Sequence, residues 1–63
     1  MENAKLTEKE LSALEDTLTS EQLMVKKYQT YAMLSTDPQI KTQCEQIAKQ
    51  HQAHFDRLIG YLN

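Results

Sequence analysis

From Leu11 onward, Leu11, Leu14, Leu18, Glu21, Val25, Tyr28 and Ala32 recur at alternating spacings of three and four. That alternation keeps one face of a helix turned toward a partner. A second series, Ile40, Cys44, Ile47, His51, His54, Leu58 and Tyr61, repeats the pattern and is flanked by Ala48, Phe55 and Leu62. Thr7-Glu8-Lys9-Glu10 reads as a capping box, in which the Thr7 hydroxyl accepts from the amide of residue 10 and the Glu10 carboxylate reaches back to the amide of residue 7. The first helix is therefore expected over 8–35. Ser35-Thr36-Asp37-Pro38 then supplies a small polar linker, an N-cap in Asp37 and a proline suited to the first helical position. This predicts a turn at 36–37 and a second helix over 38–62, with Gly60 loosening its last turn. Helices joined by so short a connection must be antiparallel neighbours. The expected fold is one all-α domain, 1–63, built as a helical hairpin.

Three positions break the apolar rule of the seam: Glu21 on the first helix and His51 and His54 on the second. Glu21 lies nearly as far before the turn as His51 lies after it, within one residue. At ~1.5 Å per residue both stand roughly 22 Å from the turn, with His54 one helical turn further on. The same level is also close to mid-helix. If two hairpins pair about a two-fold axis perpendicular to their length, only mid-helix residues meet their own copies across that axis. A four-helix homodimer would then gather two carboxylates and four imidazoles at its centre. Carboxylate with imidazole suits iron, manganese or zinc. The alternative is a metal-free register device, with the Glu21 carboxylate paired to a histidinium or to the Tyr28 hydroxyl. Tyr28, one heptad after Glu21, is expected to support the carboxylate through its hydroxyl or simply to fill core.

Composition narrows the field. A 63-residue chain, 40% hydrophobic, buries only a marginal core alone, so a partner chain is expected. One Gly, one Pro and no Trp leave little room for loops or sheet. Nine acidic and seven basic residues, net charge −2, give no basic stripe for nucleic acid. No apolar run approaches the ~20 residues of a membrane span. Met1 to Thr7 lacks the pattern of a signal peptide, so cytoplasmic synthesis without membrane association is expected. Cys44, the single cysteine, has no intramolecular disulfide partner and reads as a small buried apolar residue. There is no Gly-rich phosphate loop, no Ser/His/Asp set and no Cys-x-x-Cys. A non-enzymatic protein is expected.

Glu21-x6-Tyr28, followed at matching depth by Gln50-His51-Gln52-Ala53-His54-Phe55, resembles half of a ferritin-like di-metal bundle. Over residues 7–62 the chain is similar in length and layout to the small ferritin-like spore coat proteins of the Coat F type. The resemblance implies a ferritin-like four-helix bundle formed by a homodimer, a structural role in the spore coat, and other coat proteins as partners. It also implies Glu21, His51 and His54 as metal ligands. One departure stands out. Where the family has Glu-x-x-His, this chain has His51-x-x-His54, so the bridging carboxylate of the second helix is missing and a single-ion or vestigial site is expected in place of oxygen chemistry. On the outer surface Gln39, Gln43, Gln46 and Gln50 form a neutral amide stripe, a solvated face that would also permit dimers to pack laterally.

Overall fold

Thr7 sets the first helix. Its hydroxyl accepts from the Glu10 amide at 3.1 Å while Glu10 Oε1 accepts from the Thr7 amide at 2.9 Å, so the box is closed in both directions. The computed structural model describes residues 5–62 and shows helix α1 over Glu8–Leu34 and helix α2 over Pro38–Ile59, with a 3₁₀ turn at Gly60–Leu62. Among the described residues there is no strand. Helix α1 stops one residue before the expected end because Ser35 leaves helical geometry. The Ser35 hydroxyl bonds within the linker, accepting from the Asp37 amide, and its own amide closes the helix on the Tyr31 carbonyl. Asp37 caps α2 by accepting from the Gln39 and Ile40 amides, with Pro38 at the first position. At the far end, Gly60 tightens α2 into the 3₁₀ turn, so the regular helix ends three residues before 62.

The Thr7 box also predicts a pH response. The amide and hydroxyl of Thr7 hold the Glu10 carboxyl below its ordinary 4.5. A group with a depressed folded value contributes stability above its unfolded value and loses it as pH falls through the folded one. Helix α1 should therefore fray from its start as the solution is acidified below pH 4.5. Thr7→Ala is expected to cost about 1 kcal/mol of stability, read as a drop in the midpoint of urea unfolding. At the other end, Gly60 sits at φ −61°, and a Cβ there would meet nothing within 4 Å. Gly60→Ala is expected to raise stability by roughly 0.5 kcal/mol in the same assay.

The two helices lie side by side as one layer, 46 × 20 × 11 Å overall. Leu14, Leu18, Val25 and Ala32 of α1 and Cys44 and Ala48 of α2 form the buried strip between them. Among the described residues no side chain is completely shielded. The ends of the predicted seam are open: Leu11, Ile40 and Tyr61 are exposed, because a single layer has nothing to cover the rim of its own contact strip. Met33 and Leu34 are 76% and 73% exposed beside the turn. Apolar area left in water on this scale is what a second layer would cover.

Candidate metal centre

Near mid-length, the strip of apolar contacts gives way to the polar group foreshadowed by the seam pattern. Glu21 projects from α1 and His51 and His54 from α2, the last two at i and i+3 and hence on one side of their helix. His51 Nδ1 hydrogen-bonds Glu21 Oε1, and His54 Nδ1 stands 3.2 Å from Glu21 Oε2. Each carboxylate oxygen therefore faces one imidazole. The nearly equal distance of Glu21 and His51 from the turn brings these side chains to one level. The side chain of Glu21 is 15% exposed, that of His51 24% and that of His54 48%, so the cluster opens to solvent on the His54 side.

Electrostatics follow from that contact. The hydrogen bond from His51 is the main cause holding the Glu21 carboxyl below its usual range; partial burial opposes it, and the nearby charge of the two histidines adds to it. An ionised carboxylate facing two imidazole nitrogens is the donor set a transition metal takes. One ligand atom from each of the three residues lies within 4.8 Å of the others. Two ligands on a tetrahedral ion at ~2.05 Å sit about 3.3 Å apart, and the His54–Glu21 separation of 3.2 Å already matches. Glu21, His51 and His54 would be the residues to hold an ion, through one atom each.

Tyr28 borders the site as a half-buried packing residue. Its ring stacks on the His51 ring, with centroids 6.2 Å apart and planes 14° from parallel, whereas the hydrogen-bonding partners of Glu21 among the described residues are the two histidines. Among the described residues the tyrosine thus meets the imidazole through its ring, and its hydroxyl makes no hydrogen bond to Glu21. Tyr31 packs edge-on against Tyr28 at 5.5 Å, and Lys27 lies over Tyr31. His54 in turn sits edge-on to His51 at 5.8 Å. A string of four rings, Tyr31, Tyr28, His51 and His54, thus runs along one side of the hairpin. The pattern of single seam positions gave no warning of it, although the spacing of three between Tyr28 and Tyr31 was the available signal. In the single hairpin the His54 ring is half-exposed, at the margin of the two-helix contact.

Cys44 is buried and free, as its seam position implies. The four glutamines of the amide stripe are exposed. Among the described residues no helix is long and apolar enough to cross a membrane. Compared with family models, curated proteins and solved structures, the chain has no match.

Proposed function

We propose that the protein is a structural, non-catalytic hairpin that pairs with a second copy into a four-helix bundle and binds a transition metal at the centre of that bundle. The observation that carries the reading is the convergence of Glu21, His51 and His54 within 4.8 Å on the open side of a one-layer fold. A single hairpin supplies three donors and leaves a coordination position open. A second copy laid over that side closes the site and covers the aromatic string in one step. The resemblance to ferritin-like coat proteins supports a role in spore coat assembly with other coat proteins. The substitution of histidine for the bridging carboxylate supports a single-ion site for iron, manganese or zinc rather than a bridged pair that activates oxygen.

Elemental analysis of protein purified without chelator tests the metal, and sedimentation tests the pairing. If no metal is found and metal-free Glu21→Leu melts at a higher temperature than the parent, the cluster is a register device. That result is physically reasonable for a partly buried ionic group exchanged for a packed apolar one, and it would overturn the metal reading.

A further inference from the structure

The side of the hairpin away from the cluster carries two contiguous grooves between α1 and α2, sharing Gln29 and Gln52 in their walls; neither is lined by Glu21, His51 or His54. Their lining includes Lys26, Lys41 and Lys49, with Glu45 the one carboxylate among the described residues. All three lysines lie in the half of the molecule nearer the turn. The same side continues toward the chain ends with the opposite sign. Thr19, in the groove wall, lies four residues after Glu15 and three after Asp16, and Glu15 is one heptad after Glu8, so these carboxylates share its side of α1. On α2, Gln52 Nε2 donates to Asp56 at 2.9 Å, which places Asp56 beside the groove wall too.

This side is therefore basic toward the turn and acidic toward the chain ends. A surface with segregated charges of this kind is self-complementary under a two-fold axis through its middle. Turned end for end, a second copy sets its acidic half over the lysines and receives the reverse contact, whereas parallel stacking would oppose like charges along the whole length. The molecule's outline is 46 × 20 Å on its two longer axes, on the order of 900 Å², so an interface of the standard ~800 Å² per partner would use nearly the whole side, both charged halves included. Exposed Leu23 and Met33 and half-buried Phe55 supply apolar contact between the charges.

From this we infer that the grooved side is a second self-association surface, whose occupant is another copy of the chain bound antiparallel by its acidic half. Combined with the pairing proposed above, on which this last step rests, two self-complementary surfaces on opposite sides extend hairpins into an open stack rather than a closed dimer. The charged surface itself does not depend on the metal site.

The test is association as a function of salt and charge. At low ionic strength the purified chain should sediment as species larger than a dimer, and these should be lost in about 1 M salt, where screening acts within ~3 Å. Lys26→Glu with Lys49→Glu, and separately Glu15→Lys with Asp16→Lys, should each abolish the larger species while leaving the helical circular dichroism unchanged, since all four side chains are exposed. An equimolar mixture of the two double variants should restore association, because one then carries acid at both ends and the other base. A parent whose mass is the same at low salt and in about 1 M salt would overturn the inference, as would variants that assemble like the parent or a mixture that fails to regain assembly; a salt-sensitive species no larger than a dimer would keep this surface and remove the cluster-side pairing. Metal content is not part of the readout, so loss of the metal site and loss of this surface are separate results.

Discussion

Protein purified without chelator is expected to carry at least one transition-metal ion per dimer, and Glu21→Ala or His54→Ala to lose it. The expectation rests on how few donors the site has. With three protein donors per chain, deletion of one leaves only two, and a two-donor chelate holds an ion far more weakly than three converging donors. Replacing a residue that merely supports a ligand costs about 10–100-fold in metal affinity, so removing a ligand should cost more than 100-fold, enough to strip the ion during purification. Tyr28 separates two versions of the site. If its ring positions His51, as the stacking indicates, Tyr28→Phe should retain the metal and Tyr28→Leu should weaken it. Equal loss in both variants would instead assign the support to the hydroxyl. A chain free of metal, with Glu21→Ala no different from the parent in spectra or stability, would leave the cluster without the proposed role.

The hairpin was legible in the sequence because each of its determinants is local. The Thr7–Glu10 box, the Asp37–Pro38 start and the alternation of seam residues act within one or two helical turns, and physical chemistry of that range is written in consecutive residues. The meeting of Glu21 with His51 was legible for a different reason: in a hairpin with a short turn, distance from the turn fixes height. Height alone leaves angle open. His54 shares its level with the cluster, yet its helical angle takes it to the rim, where it is half-exposed. Tyr28 has the right height to hydrogen-bond near Glu21, yet its ring meets His51 face to face. The division of charge on the grooved side lay in the order of residues too, with Glu8, Glu15 and Asp16 preceding Lys26. That order also satisfies the helix dipole, which explains it without any neighbouring chain. Only the grooves between the helices show that the lysines of α1 and α2 line one surface.

In about 1 M salt, where the charged side is screened, the chain is expected to sediment near twice 7.3 kDa and to unfold with a midpoint that rises with protein concentration. The reason is the thinness of the fold. One layer of two helices shields no side chain completely, and chains of this length rarely draw more than ~3–5 kcal/mol from a single core. Covering the cluster side supplies the missing second layer. Met24 lies three residues after Glu21 and Ile47 four before His51, so both border the polar cluster on its own side, and both are half-buried in the hairpin. Ile47→Glu would place a charge in the paired interface without a partner, a cost of several kcal/mol, and should weaken the dimer by more than about 100-fold. Because pairing and folding are coupled in so thin a molecule, the helical circular dichroism should fall together with the mass, whereas Ile47→Leu should keep both. A parent that remains a fully helical monomer at micromolar concentration, melting independently of dilution, would show that one layer suffices, and the central site would then have to be completed by solvent rather than by a second chain.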